Sequence, residues 1–350
     1  MSIEDAEELA IRIGKGTGWL LFGTLTAEII AFFYRIMLAR WLGPYEYGIF
    51  ALLLMLIGFG TTFFTLGLPQ ALTKYISEYR AKGKATDRIF STGLALTIFL
   101  GIMSVLSVFL LAEPLTLFVF KNPDAISSLQ IGSFALFFVL LGNLFNGAIQ
   151  GWQKMKYSAI GIITDKLTKF VATAILFWLG FGLLGASVAL IFSFCAVALV
   201  LALLYRRLTP ISISYIDYKT TKILIIFGMP VFFTSIAGYF LGWTDTLIIS
   251  HFMTEEWVGY YNAALPILWI LSLAIGSLAT VLFSTFSELK AKKSVYIEKT
   301  INRSLKYAFY MLIPGAVGGW LLAEPIIRIL FGPAYLPAAS AFQILIFCAL

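Results

Sequence analysis

Several charged residues stand inside stretches that are otherwise apolar, and they limit the chemistry this sequence can do. Glu28, Arg35 and Arg40 share one such stretch, Asp165, Lys166 and Lys169 a second, and Asp245 lies in a third. A charged side chain at membrane depth costs at least about 2.5–3.5 kcal/mol on insertion scales, so each needs a reason. These residue types suit electrostatic capture of a charged ligand rather than the making and breaking of bonds. The one histidine, His251, gives no cluster for a metal. Cys195 and Cys348 lie far apart inside apolar stretches and read as small packing residues rather than a disulfide. Neither a metal nor a cofactor is expected.

Spacing gives the charges their faces. Arg35 follows Glu28 by seven residues, two helical turns, so the two share one face. That face is expected to line a cavity, and the competing reading is an Arg35 that snorkels to the outer interface. Arg40, at the end of the stretch, reads first as an interfacial anchor and second as a substrate contact. Asp165 and Lys169 are spaced i, i+4 and can neutralise each other, which leaves Lys166 without an obvious helix partner. The trio is therefore either a structural pair or a cationic site for an anion.

The elements that carry these residues are membrane helices. The chain is 60% hydrophobic and 12% charged, with a mean hydropathy of +0.92. Soluble domains carry about 25% charged residues. The apolar runs are roughly 20–25 residues long, too long for tilted strands of about 10, so the fold is expected to be an all-α polytopic membrane protein. Ten spans are predicted: 17–40, 46–71, 90–111, 126–149, 157–179, 183–204, 223–250, 257–285, 305–323 and 335–350. Gly43-Pro44 makes the turn between the first two. Pro230, Pro266 and Pro314 fall inside later spans, where proline kinks a helix. Trp41, Tyr45, Tyr47 and Trp257 near span ends read as an aromatic belt.

Basic residues alternate by side. The N-terminus and the connections after even-numbered spans, with Lys306 at the very start of span 9, hold 19 of the 25 Lys and Arg. The net charge of +7 thus reports orientation, with a cytoplasmic N-terminus, and not nucleic-acid binding. The acidic, amphipathic start over 1–16 reads as a cytoplasmic surface helix without a signal peptide.

The sequence also repeats itself. LLAEPLTLFVF at 110–120 matches LLAEPIIRILF at 321–331, an offset of 211, and at this offset Gly48 meets Gly259. SEYRAK at 77–82 matches SELKAK at 287–292. The matched segments are separated by six spans, an even number, so both copies share one orientation, a parallel repeat about an axis along the membrane normal. A first six-helix lobe over 17–204, a cytoplasmic linker over 205–222 and a second lobe over 223–350 follow. Leu350 corresponds to Val139, inside span 4, so the second lobe is expected to be incomplete and to stop within span 10. The chain is then expected to be a fragment of a protein with at least twelve spans. Through the repeat, Asp245 corresponds to Tyr34, beside Arg35, and His251 to Arg40. His251 reads as an interfacial residue rather than a proton switch.

ARWLGPYEYGIF (39–50), followed by TLGLPQALTKYISEYRAKGK (65–84), resembles the polysaccharide-biosynthesis flippases. These are the Wzx-type branch of the multidrug/oligosaccharidyl-lipid/polysaccharide exporter superfamily. NGAIQGWQKMKYSAIG (146–161) and DTLIISHFMTEEWVGYYNAA (245–264) resemble the same family at the connections after spans 4 and 7. The resemblance implies two parallel six-helix lobes around a central cavity. It also implies a plasma-membrane transporter, not an enzyme, that moves a polyprenyl-diphosphate-linked oligosaccharide to the outer leaflet by alternating access. Its partners would be that substrate and membrane lipids, and it would work as a monomer. On this reading Arg35, Arg40, Lys166, Lys169 and Asp245 bind substrate, and Glu28, Tyr34 and Asp165 line the cavity or couple transport. A multidrug exporter of the same superfamily is the first alternative, and a polytopic lipid-linked glycosyltransferase or polymerase the second. The depth-placed cations favour an anionic substrate over cationic drugs, and the short outer connections leave little room for a catalytic domain.

Overall fold

A computed structural model describes residues 3–119, 123, 125–209, 216–268 and 297–348. Among these the chain is helical throughout, without a strand. The predicted part of span 8 beyond 268, the second basic motif at 287–292 and Lys121 lie outside the described residues.

Helix α1 (Ile3–Thr65) carries the N-terminal segment without a break into the first span and on through the second. It is bent at Gly43, whose φ of 75° and ψ of 172° lie outside helical space. A side chain strains such a backbone, and Pro44 next to it has no N–H to continue the ladder. The predicted turn is therefore a bend within one helical run.

A second break comes earlier than the sequence predicts. Leu66 and Gly67 both have positive φ, so α1 ends at Thr65 rather than near 71. The segment expected as a basic loop folds as α2 (Leu68–Ala81), which starts on a proline in its first turn. It is amphipathic: Leu68, Ala71, Leu72 and Ile76 are buried while Gln70 and Lys74 are exposed. Arg80 lies 4.8 Å over the Trp152 ring and donates to the Gly151 carbonyl. Then follow α3 (Asp87–Leu110), α4 (Ala112–Val119), α5 (Ala125–Gly151), α6 (Met155–Trp178), α7 (Gly182–Arg206) and α8 (Tyr218–Phe252). Asp217 caps α8, accepting the Lys219 and Thr220 N–H groups, and these bonds hold its carboxyl below the usual range. Helix α9 is described over 255–268. It is followed by α10 (Ile297–Leu321), α11 (Ala323–Phe331), a 3-10 turn at Pro333–Tyr335 and α12 (Ala338–Cys348).

Both copies of Ala-Glu-Pro, expected as connections, are helix starts. Helices α4 and α11 begin at Ala112 and Ala323, each separated by a single residue from the end of a long helix. The second of these junctions bends by 70°. Proline in a first turn lacks only an N–H that the helix would leave unpaired anyway.

Five of the described helices are long and apolar enough to cross a membrane, the first of them the bent 14–65 run. Helix α6 is of spanning length, about 36 Å at ~1.5 Å per residue, but Lys156, Asp165, Lys166 and Lys169 set it apart from them. Together with the apolar composition this is an all-α, multi-pass membrane protein.

The structure divides into two compact units, 1–34 with 49–253, and 35–48 with 254–350. The core of the first unit joins α2, α3, α5, α7 and α8 around Leu72, Phe90, Phe145 and Tyr205. Here the Phe90 and Tyr205 rings stack with centroids 4.1 Å apart. In the second unit the bend of α1 packs against α9. A Cβ on Gly48 would overlap the Glu255 carbonyl and lie 3.1 Å from the Gly259 nitrogen. A Cβ on Gly259 would overlap the Pro44 carbonyl and lie 3.3 Å from the Gly48 nitrogen. Pro44 and Glu255 are themselves related by the offset of 211, so the contact is reciprocal, in the manner of a two-fold interface.

Candidate functional site

The charged trio on α6 folds into one cluster in the first unit. Asp165 Oδ1 lies 3.1 Å from Lys169 Nζ and Oδ2 lies 3.0 Å from Lys166 Nζ. Lys166 thus has a partner after all: the carboxylate has two oxygens, and each takes one lysine. Ser193 on α7 donates to Oδ1 at 2.7 Å, and the Lys169 ammonium sits 4.9 Å over the Phe194 ring. Two ammonium groups against one carboxylate leave a single net positive charge.

The two lysines are not equivalent. Lys169 keeps 11% of its side chain exposed and is held on two sides, by the carboxylate and by the ring. Lys166 keeps 28% and lines a cavity of about 230 Å³ with Asp165, Asn143, Asn146, Ser158 and Phe194. Lys166 is therefore the more accessible of the two cations, and the Asp165 carboxylate holds both. Sequence reasoning missed Ser193, Phe194 and the two asparagines. The signal was present as polar residues spaced i, i+3 in the apolar α5 run, at NLFN over 143–146.

The other sequence-predicted residues are spread over both units. In the first, Glu28 and Asp245 are half-buried and Tyr34 is buried. Asp245 Oδ1 accepts the Thr246 N–H at 2.7 Å. In the second, Arg35 is half-buried, and Arg40 reaches the end of α11. The Arg40 guanidinium donates to the Leu330 carbonyl at 2.7 Å and to the Ile329 carbonyl. These are last-turn carbonyls with no partner inside their helix, so Arg40 is a C-terminal cap. In return Tyr335 Oη donates at 2.9 Å to the Ala39 carbonyl, just before the bend of α1. Tyr47 also departs from expectation. It is buried and packs edge-on against Tyr335, whereas Trp41, Tyr45 and Trp257 keep the exposure expected of a belt.

Arg40→Ala is accordingly expected to cost about 1 kcal/mol of stability through the lost cap. Arg40→Lys should recover part of it, because a lysine serves one carbonyl where the guanidinium serves two. Thermal unfolding of the purified variants checks this, and an Ala variant that melts with the wild type would make the cap irrelevant.

A sequence model described as polysaccharide biosynthesis protein matches residues 13–290. A putative O-antigen transporter of Shigella flexneri is 25% identical over 344 residues, covering 96% of this chain and 80% of that protein. A probable low-salt glycan biosynthesis flippase of Haloferax volcanii is 25% identical over 319 residues, covering 88% of this chain and 62% of its own length. Among solved structures, an inward-facing multidrug resistance MATE family transporter of the MOP superfamily matches with a TM-score of 0.72. That likeness, at 16% identity over 90% of this chain and 75% of the transporter, is one of fold. The match over most of the chain and the transporters and flippases among its relatives place it: it belongs to the polysaccharide biosynthesis protein family, the Wzx-type branch of that superfamily.

Proposed function

We propose that this protein flips a polyprenyl-diphosphate-linked oligosaccharide from the cytoplasmic to the outer leaflet of the plasma membrane. It would do so as a monomer with a cytoplasmic N-terminus, by alternating access of lobes 17–204 and 223–350 joined by the 205–222 linker. The observation that carries this reading is the Asp165–Lys166–Lys169 cluster, a net cation inside a spanning-length helix beside a cavity. A diphosphate-linked glycan has the anionic group that such a site suits. The names carried by the relatives in Shigella flexneri and Haloferax volcanii support the same substrate class.

In this reading Lys166 contacts the diphosphate, with Asp165 and Lys169 holding it in place. Arg35 and Asp245 contact the head group, Glu28 and Tyr34 line the path, and Arg40 serves chiefly as the helix cap described above. Expelling about two negative charges from a negative interior releases roughly 4–5 kcal/mol per 100 mV, so the membrane potential can drive the step.

The fold likeness to multidrug transporters supports a second reading, export of organic cations. Reconstitution separates the two. Proteoliposomes holding the full chain are expected to speed leaflet exchange of a fluorescent polyprenyl-diphosphate oligosaccharide and to leave ethidium efflux at the background rate. The reverse pattern would make the protein a drug exporter, and no exchange of either by folded protein would refute both.

A further inference from the structure

A second cavity in the first unit, of about 310 Å³, carries no charged residue in its lining. Its walls come from α1, α2, α5 and α8, and it shares Asn143 and Asn146 with the cavity that holds Lys166. We infer that it is the subsite for the first, uncharged sugar of the lipid-linked glycan. This rests on the flippase reading above and assigns the part of the substrate that the lysines do not explain.

The lining chemistry points to a polyhydroxylated ligand. Thr61 and Thr62 on α1 donate their hydroxyl protons to the Ile57 and Gly58 carbonyls one turn back, at 2.8 and 2.9 Å. Thr73 on α2 donates to the carbonyls of Pro69 and Gly147. With those protons engaged, the hydroxyl oxygens face the cavity as acceptors. Asn143, Asn146 and Gln150 lie at i, i+3 and i+7 on α5, so three amides, each both donor and acceptor, fall on one helix face. The Asn146 Oδ1 is buried without a hydrogen-bond partner. A buried acceptor of this kind costs about 1–3 kcal/mol until a donor arrives, and a sugar hydroxyl is such a donor.

Size and position agree with this. The volume sits at the low end of the ~300–1,000 Å³ usual for ligand pockets and would hold roughly ten waters at ~30 Å³ each. In a diphosphate-linked glycan the first sugar is bonded directly to phosphate. A neutral amide-and-hydroxyl cavity must then adjoin the cationic one, and here the two share a wall of asparagines. A multidrug site would be served better by apolar and aromatic lining than by threonines and amides.

The test uses the full chain in proteoliposomes and two probes: a polyprenyl diphosphate bearing one N-acetylhexosamine, and the same polyprenyl diphosphate without sugar. Gln150→Leu and Thr62→Val touch only the neutral cavity. Each is expected to raise KM for the sugar-bearing lipid about tenfold while leaving the bare lipid unchanged. Thr62→Val keeps the side-chain shape and carries the test where Gln150→Leu fails to fold. Equal changes for both lipids, or none, with wild-type exchange of the sugar-bearing lipid intact, would overturn the subsite and leave the flippase reading standing. A wild-type protein that moves neither lipid would overturn both.

Discussion

Gly48→Ala is expected to prevent stable packing of the bend in α1, with a loss at or above the ~3 kcal/mol upper end usual for overpacking. The new methyl would overlap the Glu255 carbonyl and lie 2.8 Å from the carbonyl carbon. Both are backbone atoms, which cannot swing aside as a side-chain tip does. Gly259→Ala should cost a similar amount, because it meets the Pro44 carbonyl in the mirrored way, with the carbonyl carbon at 2.9 Å. In a membrane, where lipid competes equally for apolar surface, close approach of small residues is a main source of helix association. The double variant should cost less than the sum of the two, since both changes break one contact. Thermal unfolding and the yield of monodisperse protein measure this. If either single variant behaves like the wild type, the close approach at these two glycines is not what holds the helices together. Gly43→Ala, by contrast, meets no neighbouring atom and would act through its positive φ alone.

Much of this architecture was legible because membranes impose few choices. Apolar runs of spanning length had to be helices. The Gly43-Pro44 turn, the spans of α3, α5, α6 and α7, and the Asp165–Lys169 pair were all readable within a few residues. What was missed has physical reasons. The α2 segment has too many charges for a span, and its amphipathic period was hidden by its basic residues. Helices α4 and α11 were expected as connections because 8 and 9 residues are too few for a span, yet a proline in the first turn lets each start a helix of its own. Lys166 looked unpaired because i, i+1 residues do not face each other on a helix, yet a lysine side chain is long enough to curl back to its neighbour. Tyr47 was assigned to the aromatic belt by its position near a span end, but its ring is needed in the packing around Tyr335. The repeat showed that Gly48 and Gly259 correspond. That they touch is a tertiary fact that no offset carries.

Asp165→Asn should be the most damaging single change in the candidate site, and the reason separates its structural from its functional part. Both lysines rest on this one carboxylate, and Ser193 steadies it. Without the carboxylate two ammonium groups stand one turn apart and repel each other. Breaking a buried ion pair from one side costs about 3–5 kcal/mol, far more than the intact pair contributes. Folded yield should fall sharply. Replacing all three charges together, Asp165→Leu with Lys166→Leu and Lys169→Met, removes the imbalance and should restore folding, because such clusters often exchange for apolar side chains at little cost. If the cluster were only structural, this triple variant would transport normally. If Lys166 meets the diphosphate, the triple variant folds and does not flip lipid. Lys166→Gln alone should then slow exchange about tenfold or more, with a melting temperature close to wild type. Lys169→Met should do the opposite: it loses the more buried ammonium and its seat over Phe194, and its main deficit is stability. Exchange rates corrected for folded protein give the answer, and a triple variant with wild-type exchange would remove Lys166 from the site.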